Sequence, residues 1–355
     1  MKTLSVLAAA ISLAAAGAAT AEGPPPPSPS SVVVTASNTA LNQLLIYSPT
    51  GVFLRSIPTG GRGGVGGNSG GIAQNRDRIA VVNFGSNTVS IFAKDELTGK
   101  IEHERTIPTA AGPVSVALDA GHLYVLTGKS VESHALDGAG HVGVQADGAA
   151  ALLVGDGSAA QVGILQGQLI LTEKSNAIET VNLDARGAIS GRAVSTANIP
   201  ANVNAPFGLI TRGPDAYVTI AHANEISLVQ NNSVVTVTSS GTQSAPCWLA
   251  LDGPFLFSSN SPSHSVSRYI VQGRQIAQAT AVAATFNGSP TDIAYAHTGN
   301  HGGLAAVLDS DGTVSHLSLF RVDASGNLGL QGLATIATPT TNGVAVVNFG
   351  GRRPD

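Results

Sequence analysis

A small residue or proline followed three positions later by an aliphatic one recurs along this chain. The pairs are Ser69 and Ile72, Pro113 and Val116, Ala159 and Val162, Pro206 and Leu209, Pro246 and Leu249, Pro290 and Ile293, and Thr341 and Val344. Successive aliphatic anchors stand 44, 46, 47, 40, 44 and 51 residues apart. Between anchors the pattern is one of short strands and tight turns. In one repeat, Val114 to Leu118, a turn at Asp119-Ala120-Gly121, Leu123 to Thr127 and Ser130 to Leu136 form three strands, and a fourth follows Asp137-Gly138. The third strands alternate with period two, as in Thr88 to Phe92, Ser265 to Tyr269 and Thr313 to Leu317. No segment sustains a 3.6-residue period, so the pattern predicts almost no helix.

A period in the forties with four strands per unit is the signature of a propeller. The last anchor, at Thr341 to Val347, has one strand and no chain left for three more, whereas Val32 to Val34, Leu41 to Tyr47 and Val52 to Ile57 supply three strands without an inner one. The sequence therefore predicts an all-β, seven-bladed β-propeller over residues 32–350. Each blade has four antiparallel strands, and the ring is closed by the C-terminal strand joining the N-terminal blade.

The ends add a prediction about location. Lys2, the apolar run Leu4 to Ala16 and the small-residue stretch Ala19-Thr20-Ala21 have the form of a signal peptide over residues 1–21. A Pro-rich linker covers 22–31, and 351–355 are a tail. The expectation is a secreted, extracellular protein, or a periplasmic one in a bacterium, with no membrane span and monomeric.

Composition narrows the partners. Charged residues make up 11% of the chain, against about 25% in an average globular protein. The net charge is −4 with no Lys/Arg cluster, which argues against nucleic acid. Cys247 is the single cysteine, so no intramolecular disulfide forms, and closure of the ring and packing must supply stability. Two N-x-S sequons occur, at Asn231 and Asn287.

The pattern Pro-x-x-aliphatic-Ala, a turn, Tyr-Val, then Thr/Ser-Val-Ser-x-aromatic resembles the lactonase-like or YVTN propellers, the family of 6-phosphogluconolactonase-like proteins and 3-carboxymuconate cyclases. Ser244 to Trp248, Ser289 to Asp292 and Asn342 to Val344 are similar to a secreted branch of it. The resemblance implies lactone hydrolysis or muconate-type cycloisomerisation of a small carboxylated substrate at one mouth of the central channel. It implies His, Arg and Glu side chains there as acid, base and anion holder. In this chain no Arg appears among the loop residues read as reaching that mouth, and no His follows a repeat proline.

The candidates at that mouth are Asp292, His222 with Glu225, and Glu173 with Lys174. Asp292, His222 and Glu173 are the catalytic candidates. Trp248, Lys174, Thr291 and Asn342 are the ligand-binding ones. Asp292 also suits a purely structural role, the reading that its position favours, accepting backbone N–H groups at the start of its strand, and Cys247 reads as a small buried hydrophobe. His297 and His301 flank a turn rather than sharing a helix face, which argues against zinc, and no metal site or cofactor is predicted. A structural cation near Asp292, Asp309 and Asp311 is a third reading. Two functions compete: a lactonase or cycloisomerase, and a non-catalytic binding propeller whose partner is a small molecule, a protein or a carbohydrate.

Overall fold

The computed structural model describes residues 31–67, 70–298 and 302–349. The signal peptide, most of the linker, the tail, and the positions Asn68, Ser69 and His301 lie outside the described residues. Among the described residues the chain forms seven four-stranded antiparallel sheets, each a blade. Blades 2 to 7 are consecutive in sequence. Their inner strands are Ile72–Gln74, Pro113–Leu118, Ala159–Leu165, Pro206–Arg212, Pro246–Asp252 and Ser289–His297. Blade 1 is composite. Asn342–Asn348 is its inner strand and pairs along Ser31–Ala36, which continues to Gln43–Tyr47 and Phe53–Pro58. The predicted closure is what the chain forms.

The seven anchors occupy one register. Ile72 faces Val81, Val116 faces Val125, Val162 faces Leu171, Leu209 faces Val218, Leu249 faces Ser258, Ile293 faces Val307 and Val344 faces Thr35. What the repeat did not reveal is a bulge. The pairing slips between Pro113 and Ser115, Ala159 and Gln161, Pro206 and Leu209, Pro246 and Trp248, and Pro290 and Asp292. Proline suits the first position of such a strand, and the extra residue re-aims the side chain that follows it.

Two smaller expectations shift. The linker's last residue, Ser31, is already in a strand. The second strand of the N-terminal segment begins at Gln43 rather than Leu41, because Asn38 adopts φ 55° and the Asn42 side chain caps the turn through the Asn38 N–H at 2.8 Å. Leu41 is left 81% exposed. As expected, helix is nearly absent: among the described residues it is confined to two single 3-10 turns, Phe84–Ser86 and Ala221–Ala223.

Packing between blades comes from alternate faces of each sheet. Leu317 and Leu319 of blade 7 face Val33, Leu45 and Tyr47 of blade 1, while Phe320 and Val322 face Phe257 and Val266 of blade 6. Tyr124, Tyr217 and Tyr269 are fully buried. Hydrogen bonds also pass from blade to blade at the anchor N–H groups. Val116 donates to the Gly70 carbonyl at 2.8 Å, Val162 to Ser115 Oγ at 3.3 Å, Leu209 to Gln161 Oε1 at 2.7 Å and Val344 to Asp292 Oδ2 at 3.2 Å. Ser115, Gln161 and Asp292, each the residue before its own blade's anchor, thus supply the acceptor for the next blade. Gly208 holds that position in blade 5 because a Cβ there would collide with the Cys247 carbonyl of blade 6.

Candidate functional site at the channel mouth

The loops that enter each inner strand and those joining second to third strands share one face, here called the upper face. A central cavity of about 310 Å³ runs along the inner strands below it. Its wall mixes aliphatic residues, Ile72, Ile210, Leu249 and Val344, with the polar Gln74 and Tyr295, and Gln161 and Asp292 are polar groups at the bulges.

Asp292 follows the bulge in blade 7 and is 3% exposed. Its Oδ1 accepts the Ile293 N–H at 2.8 Å, and its Oδ2 accepts the N–H of Val344. One carboxylate therefore joins the inner strand of blade 7 to the strand that closes the ring. A buried acid held in this way is a clamp between strands.

Glu173 ends the second strand of blade 4, Gln168–Glu173, and is fully buried. Its Oε1 and Oε2 accept the N–H groups of Val154 and Gly155 at 3.0 and 2.8 Å. Glu179, on the adjacent third strand Ala177–Asn182, is also fully buried and accepts the Leu153 N–H at 3.1 Å. Burial, a side-chain hydrogen bond from Glu179 to Glu173 and the charge of Glu173 push the Glu179 carboxyl up to about 8, so at neutral pH it carries a proton. A carboxylic acid and a carboxylate thus grip the loop that enters blade 4. Glu179 was not among the sequence candidates. Only the register, with Leu171 opposite Glu179 and Glu173 opposite Ala177, brings the two acids together.

His222 lies in the exposed 3-10 turn of blade 5, and Glu225 starts the next strand, half-buried, with its pKa raised by burial. The three catalytic candidates therefore stand in three settings: an inner-strand carboxylate, an exposed turn and a buried acid pair. No ion pair joins His222 to Glu225 among the described residues.

The ligand-binding candidates are more connected. The Lys174 ammonium lies 5.5 Å above the Phe207 ring, and Phe207 packs edge-to-face on Trp248 at 5.3 Å. Burial lowers the Lys174 pKa, opposed by Asp156. Trp248 is 4% exposed, and its buried indole N–H has no hydrogen-bond partner among the described residues. Thr291 is the bulged residue of blade 7, half-buried. Asn342 begins the closing strand opposite Ala36, and its Oδ1 occupies the space a Cβ on Gly71 would need. Beside Trp248, the Cys247 thiol donates to the Ala245 carbonyl at 3.1 Å, and burial pushes its pKa up to about 12.

A Ser–Asp–His constellation in blade 3 was also unannounced by the sequence. His122 Nε2 sits 2.9 Å from Asp147 Oδ2, and Ser133 Oγ donates to Asp147 Oδ1 at 2.7 Å while accepting the Ile189 N–H at 3.1 Å. The aspartate stands between the other two, so the hydroxyl proton is directed at a carboxylate and not at imidazole. That order differs from a nucleophile–base–orienter relay. Among the described residues no group of three or more His, Cys, Asp or Glu side chains is arranged to hold a metal ion. None of their helices is long and apolar enough to cross a membrane.

This is the architecture of a seven-bladed β-propeller, and solved propellers superpose on it. A structure titled as a putative 6-phosphogluconolactonase from Bacteroides fragilis superposes with a TM-score of 0.65 at 17% identity, covering 92% of this chain and 100% of its own. A second structure so titled, from Bacteroides uniformis, gives 0.64 at 15%, covering 90% and 100%. A streptogramin B lyase gives 0.57 at 15%, covering 79% and 88%. At these identities the likeness establishes the fold. No family model and no curated protein matches the sequence.

Proposed function

We propose that this chain is an exported, non-catalytic binding propeller that receives a small carboxylated ligand at the channel mouth. The observation that carries this reading is the engagement of the mouth's acids. Both oxygens of Asp292 and both oxygens of Glu173 accept main-chain N–H groups. A general base must be within reach of the proton it abstracts, and these two are committed to loops and strands. The groups suited to a ligand are Lys174, as the cation, and the Phe207–Trp248 pair, as an aromatic rim. Thr291 and Asn342 lie on the same face, at the starts of the inner strands of blades 7 and 1. Export is part of the proposal and rests on Lys2, Leu4 to Ala16 and Ala19 to Ala21.

The test is calorimetric binding and turnover of a panel of lactones and muconates by the chain from Glu22 onward, with Lys174→Met, Asp292→Asn and Glu173→Gln variants. Saturable binding without turnover, weakened about tenfold or more by Lys174→Met, is the expected result. Turnover that either acid substitution abolishes in a folded protein would overturn it and establish the lactonase reading implied by the family resemblance.

A further inference from the structure

Blade 7 carries an Asp–His pair that the channel mouth does not use. His316, on the third strand Ser315–Val322, stands opposite Asp309 of the second strand Gly303–Ser310. Its Nδ1 is 3.1 Å from Asp309 Oδ1, which also accepts the Gly288 N–H at 3.1 Å. Asp309 is 2% exposed, and burial raises its pKa against the opposing pull of the His316 hydrogen bond. A carboxylate on Nδ1 selects the tautomer with the proton there and leaves the Nε2 lone pair as an acceptor. Nε2 has no hydrogen-bond partner among the described residues.

The pair sits in a groove of about 320 Å³ between blades 6 and 7. Phe286 and Phe320 meet edge-to-face at 6.1 Å in its wall, and Leu328, Leu330 and Leu333 line it from the outer strand. Leu330 and Leu333 are 62% and 58% exposed. No Lys or Arg lines this groove, so it offers no counter-charge to an anion. The combination is a largely apolar, aromatic-walled slot, lined also by Thr285, Asn287, Ser318 and Asp309, into which His316 brings an oriented ring.

We infer that this inter-blade groove binds a single-ring phenol, the ring against Phe286, Phe320 and the leucines and the hydroxyl donating to His316 Nε2. The size is that of a ligand pocket with few polar groups, and an oriented acceptor discriminates strongly against an analogue without the donor. Asp309 acts as a positioning residue by holding the imidazole. The inference is independent of the channel-mouth reading.

The test uses p-cresol, with toluene and 4-methylanisole as partners lacking the donor, each titrated into the chain from Glu22 onward by NMR with the imidazole nitrogens observed. The expected result is p-cresol binding about tenfold or more tighter than either analogue, with the Nε2 resonance shifting only for the phenol. His316→Phe should abolish that preference, Asp309→Asn should reduce it, and Leu330→Ser with Leu333→Ser, both on the exposed outer strand, should weaken all three ligands together. Lys174→Met should leave p-cresol binding unchanged, which separates this site from the mouth. Equal affinity for p-cresol and 4-methylanisole, p-cresol binding unaffected by His316→Phe, or no saturable binding by the folded protein would each overturn the inference.

Discussion

Replacing Glu179 by glutamine should make this protein more stable at alkaline pH and leave its stability unchanged in acid. The Glu179 carboxyl is fully buried against Glu173, and its pKa moves from 4.5 to about 8. A raised folded-state pKa means the folded protein holds a proton that the unfolded chain releases. The favourable contribution is complete below about pH 4.5 and is lost as pH rises through about 8. Each unit of difference corresponds to about 1.4 kcal/mol. Allowing for coupling within the pair, the cost of keeping the proton at pH 7 to 9 is on the order of 2–4 kcal/mol.

Glutamine reproduces the protonated acid: its amide N–H donates to Glu173, and its carbonyl accepts the Leu153 N–H that Glu179 accepts now at 3.1 Å. Chemical denaturation at a series of pH values gives the measurement, with Trp248, the one tryptophan, as a buried fluorescent reporter. The difference between Glu179→Gln and the parent isolates this group, since every other titrating side chain is common to both. That difference should be near zero at about pH 4.5 and grow in favour of the variant up to about pH 8. A difference that does not change with pH, or one that favours the parent at alkaline pH, refutes the shared-proton account of the acid pair.

Two further outcomes follow from the mouth. The Cys247 thiol, with its pKa pushed up to about 12, should remain unmodified by a disulfide reagent in the native protein at mildly alkaline pH, and react rapidly once denaturant is added. Asp292→Ala leaves the N–H groups of Ile293 and Val344 without their acceptor and should lower stability by about 1–3 kcal/mol. Hydrogen exchange should place the loss in the closing strand Asn342–Asn348.

The architecture was legible because a propeller repeats its constraints. Each blade must place an aliphatic side chain such as Val116 or Val162 in the same inter-blade layer, and that requirement leaves a period in the sequence. Closure was legible from an arithmetic mismatch, three strands at one end and one at the other. The bulge was not, because Pro113-Val-Ser-Val116 looks the same whether its residues pair one-to-one or two-to-one. Nor could the sequence assign the acids. Asp292 accepts an N–H 52 residues away, and the Glu173–Glu179 and Asp309–His316 pairs exist only through hairpin register.

The distribution of those partners has a consequence for where chemistry resides in this fold. In a chain only 11% charged, the buried acids are placed opposite main-chain N–H groups at the loops that enter blades: Glu132 beside Ala110, Glu179 beside Leu153, Asp309 beside Gly288. The innermost strands solve the same problem with Ser115, Gln161 and Asp292. Polar side chains around the mouth are therefore selected by the geometry of successive blades, and a reactive role has to come from a group whose far side is left open. Asp309 is the case in which both conditions meet. It holds the loop into blade 7 through Gly288 and at the same time fixes His316, whose ring lines the groove between blades 6 and 7.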